Sequence, residues 1–138
     1  MSFLFFLNAI SAFILTGVIW TIQLVHYPSF YYIDKLSFLS FHQFHNNRIS
    51  MIVMPFMMVE LITSIILYIN DTSSLIFSLN LGIVVLIWCS TFFIQMPIHN
   101  ILSGEKDKKM IKKLVNTNWI RTFLWTFRML LIIDEIIS

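Results

Sequence analysis

Residues 3–26 read FLFFLNAISAFILTGVIWTIQLVH, an apolar run that is long enough to cross a bilayer as a single helix. The run is longer than the apolar core of a signal peptide, no basic segment precedes it, and it shows no clear cleavage site of small residues. We therefore expect it to be retained as a transmembrane helix that ends at Pro28, because proline cannot continue the backbone hydrogen bonding of a helix.

The composition of the whole chain indicates an integral membrane protein. Hydrophobic residues make up 58% of the 138 residues and charged residues 12%, about half of the charged fraction of a typical soluble domain. The mean hydropathy is +0.83. A net charge of +2 without a basic recognition motif excludes nucleic acid as a partner, and the lone Cys89 excludes a disulfide framework. The lipid bilayer is the first partner that the sequence implies.

Three further apolar segments predict helices at about 40–69, 75–97 and 118–137. Between the last two, residues 105–116 carry a run of lysines opposite an apolar stripe, which is typical of a basic amphipathic helix on an anionic membrane surface. The predicted fold class is therefore all-α: an integral membrane four-helix bundle in which residues 1–138 form one domain.

The distribution of positive charge predicts the orientation of this bundle. Four spans place both termini on the same side of the membrane. Eight of the nine Lys and Arg residues lie in or beside the two loops on the other side: Lys35, Arg48, Lys106, Lys108, Lys109, Lys112, Lys113 and Arg121. By the positive-inside rule these loops are cytoplasmic, both termini are on the non-cytoplasmic side, and the predicted location is the bacterial cytoplasmic (inner) membrane.

The polar stretch FHQFHNNR, residues 41–48, marks the candidate site. Ser40 is predicted to cap the second helix, and His42 and His45 share one face of its first turns. The partial positive charge of a helix N-terminus favours neutral imidazole rings, which accept protons or bind ligands. We predict His42 and His45 as catalytic residues, with Arg121 as the partner of an oxyanion or phenolate.

The predicted topology brings further polar and aromatic side chains to the same end of the bundle. The tryptophans are expected to form the apolar walls of a pocket that opens toward the cytoplasm. The candidate pocket residues are Trp20, Gln23, His26, Trp88, Gln95, His99, Asn100, Asn118, Trp119 and Trp125.

Two charged residues are predicted to lie deeper in the membrane. At 1.5 Å per residue, Glu60 lies about 18 Å beyond Arg48, and Arg128 lies about 14 Å beyond Trp119. The two side chains therefore reach comparable depths, and an unpaired charge there is costly. We predict that Glu60 and Arg128 form a buried ion pair.

Three chemistries remain open for the histidines. His26, His42, His45 and His99 are candidate ligands of a metal ion, and two of them are candidate axial ligands of a haem. The third chemistry needs neither cofactor, because a histidine moves protons in a polar pocket.

Several short motifs resemble those of the small four-helix membrane proteins of the anthrone oxygenase-like family. They are Gly17, His26-Tyr27-Pro28, Pro97-Ile98-His99-Asn100, Leu114 and Asn118-Trp119-Ile120-Arg121-Thr122. The resemblance spans most of the chain and implies a four-helix bundle. For the few characterised members it implies oxidation of an aromatic polyketide without an obvious prosthetic group. It carries over Asn100, Trp119 and Arg121 most directly.

The function predicted from the sequence is that of a small membrane oxidoreductase or oxygenase acting on a lipophilic aromatic or quinone-like small molecule. The alternative is a non-catalytic accessory subunit, or a haem- or metal-binding subunit, of a larger membrane complex. A small-solute transporter is disfavoured, because four spans without an internal repeat lack the repeated halves that move against each other in alternating access. Both a homo-oligomer and a larger complex remain open.

Overall fold

The computed structural model describes residues 2–138, which form four long helices and no strand. We number the helices α1 (Phe3–Ser29), α2 (Phe38–Asn70), α3 (Leu75–Leu102) and α4 (Lys108–Ile137). The first three are long and apolar enough to cross a membrane. The predicted all-α class is therefore confirmed, with four helices in this part of the chain.

The helices extend beyond the ends that the sequence predicts. Pro28 and Pro97 do not end α1 and α3. In each helix a π-helical turn precedes the proline, at Ile22–His26 and at Thr91–Gln95. Because proline clashes with the carbonyl four residues before it, a wider turn lets the helix continue. These two turns position the polar end of the candidate site.

The second helix starts earlier than its predicted cap. Ser40 lies inside α2, and its hydroxyl donates a hydrogen bond to the carbonyl of Ser37 (3.0 Å). Phe38 is fully buried and packs edge-on against Phe30, with 5.8 Å between the ring centroids. Burial of the Phe38 ring determines where α2 starts. A capping pattern in the sequence gives no information about that burial.

The fourth helix begins at Lys108 instead of near residue 118. Most of segment 105–116, predicted as a separate helix on the membrane surface, is the first part of α4. Its apolar stripe faces the protein, since Ile111 and Leu114 are fully buried in the core. The lysines on the opposite side remain exposed.

The α1–α2 and α3–α4 loops lie together at one end of the bundle. The ammonium group of Lys106 donates hydrogen bonds to the carbonyls of Tyr31 (3.1 Å) and Ile33. It also lies 5.9 Å from the ring centroid of Phe38. Lys106 therefore ties the first loop to the last one, beside the candidate site.

Candidate functional site

A cavity of about 350 Å³ lies inside the bundle and is lined by all four helices. It runs from Tyr27 and His99 near the joined loops to Met57 and Trp125 in the middle of the bundle. Its lining is mainly apolar, and its volume lies in the range of small-molecule sites. The polar lining residues are Tyr27, Asn46, Ser50, Thr91, Gln95, His99, Asn100 and Arg121.

Arg121 is the charged residue of this lining. It is only 6% exposed, and its guanidinium group lies 5.8 Å from the ring centroid of Trp125. Its Nε and Nη2 both donate to the amide oxygen of Asn118 (3.0 and 2.8 Å). Nη2 also donates to the hydroxyl of Tyr27 (3.3 Å), and Nη1 donates to the hydroxyl of Thr91 (3.3 Å). Within residues 2–138 it forms no ion pair. A buried guanidinium with only neutral partners beside a cavity is suited to hold an anionic ligand group.

A second layer of side chains fixes Asn118 and therefore Arg121. The amide nitrogen of Asn118 donates to the side-chain oxygen of Gln23 (2.8 Å), and the hydroxyl of Thr122 donates to the same oxygen (3.1 Å). Gln23 in turn donates to the carbonyl of Val115 (3.0 Å). Gln23 and Asn118, predicted as pocket residues, lie outside the lining and orient the arginine from behind.

Tyr27, His99 and His42 form a hydrogen-bonded line that starts at the cavity. The hydroxyl of Tyr27 lies 3.0 Å from Nε2 of His99, and Nδ1 of His99 lies 3.1 Å from Nε2 of His42. Asn46 Nδ2 lies 3.3 Å from the same nitrogen of His42. Nδ1 of His42 is buried without a hydrogen-bond partner among the described residues. His42 does not line the cavity itself, and its contacts with lining residues are those to His99 and Asn46.

The other two histidines lie against each other beside this line, and the ring of His45 packs edge-on against Tyr27, with 6.2 Å between the centroids. The rings of His26 and His45 have centroids 5.0 Å apart, and neither residue lines the cavity. Within residues 2–138, no group of three or more His, Cys, Asp or Glu side chains is arranged to hold a metal ion. The four histidines therefore do not converge on one metal, because α1 and α2 hold one pair and α2 and α3 the other.

The predicted tryptophan walls are only partly present. Trp88 and Trp125 line the cavity. Trp20 and Trp119 lie outside it and pack against each other edge-on, with ring centroids 5.6 Å apart. The indole nitrogen of Trp20 donates to the hydroxyl of Thr126 (2.9 Å). The prediction for Trp20 rests on its depth along the helix. Depth does not determine the direction in which a side chain points.

The remaining predicted pocket residues, Gln95 and Asn100, do line the cavity. Gln95 donates to the hydroxyl of Thr117 (3.2 Å), while its side-chain oxygen is buried without a partner among the described residues. Asn100 is exposed. The sequence prediction missed Tyr27, whose only signal was the motif that carries the family resemblance.

The two charges predicted to pair are in contact. Arg128 donates to Glu60 at 2.6 Å, and both side chains have no exposed surface. The amide oxygens of Asn8 (2.9 Å) and Asn80 (2.7 Å) accept the other Arg128 hydrogen bonds. Trp125 donates to both carboxylate oxygens of Glu60 (3.2 Å each), so this network adjoins the cavity wall. Asn8 and Asn80 were missed, because a lone amide in an apolar run gives no indication of its partner.

Comparisons with known proteins add no relative. No protein family matches this chain, and neither a curated protein nor a solved structure matches it. The resemblance to the anthrone oxygenase-like family therefore stays a prediction.

Proposed function

We propose that this chain is an integral membrane oxidoreductase that binds a lipophilic aromatic or quinone-like molecule in the cavity and oxidises it with dioxygen. The observation that carries the proposal is Arg121, a buried cation with neutral partners at the polar end of a mainly apolar cavity. A phenol-type ligand matches both features of this site. Its apolar ring system fits the cavity, and its acidic oxygen binds the guanidinium.

The outer surface of α4 supports a fourth membrane span. Arg121 and Arg128 raise the polarity of this helix, yet both side chains are buried inside the bundle. Its exposed positions over the same length include Ile120, Phe123, Phe127 and Leu130. Lipid would therefore meet apolar side chains on this helix as well. With four spans, the positive charges at the joined loops favour a cytoplasmic location for those loops and the opposite side for both termini.

The mouth of the cavity supports entrance from the bilayer. Ser50 and Met54 on α2 and Phe92 and Met96 on α3 line the cavity and are also exposed on the outer surface. The opening therefore lies between two helices that are apolar enough to be in lipid. A hydrophobic substrate dissolved in the membrane would reach Arg121 without crossing water.

The proposed reaction follows from the resemblance and the site together. Arg121 holds the oxygen of the substrate as a phenolate or enolate. The hydrogen-bonded line of Tyr27, His99 and His42 accepts the proton that is released. The activated ring methylene group then reacts with dioxygen. One oxygen atom becomes the new carbonyl oxygen. The other leaves as water, with the remaining hydrogen of that carbon and the proton that the hydrogen-bonded line returns. The four electrons lost by the carbon reduce one dioxygen molecule.

Turnover of anthrone by the purified chain in lipid nanodiscs tests this function. We expect one dioxygen consumed for each quinone formed, measured with an oxygen electrode and by chromatography against protein-free nanodiscs. Arg121→Gln and the His42→Ala/His45→Ala variant are expected to lose most of the rate. Elemental analysis and an optical spectrum of the same preparation report any bound metal or haem. Folded protein that binds anthrone without accelerating its oxidation would instead support a non-catalytic subunit.

Narrowing the mouth is expected to slow ligand binding. Met54→Trp places a larger side chain at the opening, so we expect the association rate of 2-naphthol to fall by about tenfold, an order of magnitude set by restricted access to a preformed site. Stopped-flow quenching of tryptophan fluorescence measures this rate. Met58→Trp is the matched control, since Met58 is similarly exposed on α2 but does not line the cavity. Equal rates in the two variants would contradict the lateral opening.

A further inference from the structure

We infer that Tyr27 transfers a proton from a ligand in the cavity to the His99–His42 pair, so that the positive charge comes to rest on His42. The identity of the ligand rests on the proposed function, whereas the direction of the hydrogen bonds rests on geometry alone. Tyr27 lines the cavity, and its ring is buried with only 4% of its surface exposed.

Arg121 determines the direction in which the hydrogen bonds of the line run, beginning at Tyr27. A guanidinium group has no acceptor, so the contact between Nη2 of Arg121 and the hydroxyl of Tyr27 is a donation to the tyrosine oxygen. The single hydroxyl proton of Tyr27 is then free to be donated to Nε2 of His99, 3.0 Å away. A neutral His99 that accepts at Nε2 carries its own proton on Nδ1.

The same reasoning assigns the protonated ring nitrogen of His42. Nδ1–H of His99 donates to Nε2 of His42, and the amide nitrogen of Asn46, which is also a donor, approaches that same nitrogen. Two donors at Nε2 leave the ring proton of His42 on Nδ1. The three groups therefore point their protons away from the cavity, in one continuous sequence from Tyr27 to His42.

This arrangement permits a concerted shift of three protons. The acidic proton of the ligand moves to the oxygen of Tyr27, the proton of Tyr27 moves to Nε2 of His99, and the Nδ1 proton of His99 moves to Nε2 of His42. The net result is a ligand anion beside Arg121, a neutral Tyr27 and His99, and an imidazolium at His42. No electrons are transferred in this step.

The separation of charge gives the line its physical advantage. A base in direct contact with Arg121 would become a cation next to a cation when it accepted the proton, and the guanidinium would oppose the transfer. The line moves the positive charge two side chains away from Arg121, while the anion that remains is attracted to it. The ring of His42 packs against the rings of Phe30 and Phe38, with centroids 5.6 and 5.7 Å away, and these contacts hold it in place.

Nitrogen NMR of the histidine rings tests the direction of the line without any substrate. In the full chain labelled with ¹⁵N-histidine in nanodiscs, we expect His99 to be protonated on Nδ1 and His42 on Nδ1. Tyr27→Phe is expected to shift the ¹⁵N resonance of His99 Nε2, because that nitrogen loses its donor. Tyr32→Phe is the matched control, since Tyr32 is 88% exposed and contacts none of these groups. A wild-type His99 protonated on Nε2, or identical spectra for Tyr27→Phe and wild type, would overturn the inference.

A second measurement follows the proton itself, with 2-naphthol as the probe. Saturating 2-naphthol is expected to produce naphtholate absorbance and an imidazolium signal at His42 in the wild-type protein, and neither in Tyr27→Phe. Naphtholate and a His42 imidazolium that form equally well in Tyr27→Phe would refute the transfer. If 2-naphthol does not bind to any form, the proposed function fails, and the ring tautomers alone decide whether the line has the inferred direction.

Discussion

Glu60→Gln is expected to lower the free energy of unfolding by about 3–5 kcal/mol, the range for removing one partner of a buried ion pair. The glutamine retains the shape of the side chain, but it leaves the guanidinium of Arg128 as an uncompensated charge among fully buried groups. Asn8 and Asn80 still accept from that guanidinium, yet neutral amides do not neutralise it. Denaturation of the protein in mixed micelles, followed by far-ultraviolet circular dichroism, measures the loss.

Two further variants separate the charge from other effects of the substitution. Glu135→Gln is the matched control, because Glu135 is exposed on α4, and we expect it to change stability by less than about 0.5 kcal/mol. In the double variant Glu60→Gln/Arg128→Met the buried cation is gone, so part of the lost stability should return. If the double variant were less stable than Glu60→Gln alone, the destabilisation would not come from an unpaired Arg128.

Arg121→Gln is expected to weaken binding of 2-naphthol by about 10- to 100-fold, which corresponds to about 1.5–3 kcal/mol for a hydrogen bond to a charged group. The loss has a direct cause, since Arg121 is the cation of the cavity lining. Arg121→Lys keeps the charge but not the forked donation to Asn118, so its affinity should fall between those of Arg121→Gln and the wild type. Quenching of tryptophan fluorescence measures the affinities.

The uncharged analogue naphthalene provides the control for this measurement. It fills the apolar part of the cavity but has no oxygen for the guanidinium, so its affinity should be similar in Arg121→Gln and wild-type protein. Arg48→Gln is the control substitution, because Arg48 is exposed, lies over the ring of Phe44 and does not line the cavity. A parallel loss of naphthalene binding in Arg121→Gln would mean that the cavity has collapsed, and unchanged 2-naphthol binding would show that the arginine does not hold the ligand oxygen.

The sequence predicted where the candidate site lies more accurately than it predicted which residues form the site. Helical spacing and chain direction brought Gln95, His99 and Arg121 to one end of the bundle, because polar residues in an apolar helix are few and their positions along the axis follow from the rise per residue. The same reasoning included Trp20, which lies outside the cavity, and omitted Tyr27, which lines it. Trp119, which the family resemblance carried over, also lies outside the cavity. A π-helical turn changes the facing of every residue that follows it, and neither turn was predicted.

The sequence by itself determined that the chain is helical, that at least three of its helices are apolar enough to span a membrane, and that Glu60 and Arg128 meet. These properties depend on composition and on axial position, which are local or additive along the chain. Only the tertiary structure decided how the histidines divide into two pairs, that Arg121 has no carboxylate partner within residues 2–138, and that a cavity opens between α2 and α3. These features depend on helix rotation and on side-chain packing between distant segments, which hydropathy and spacing along a single helix do not specify.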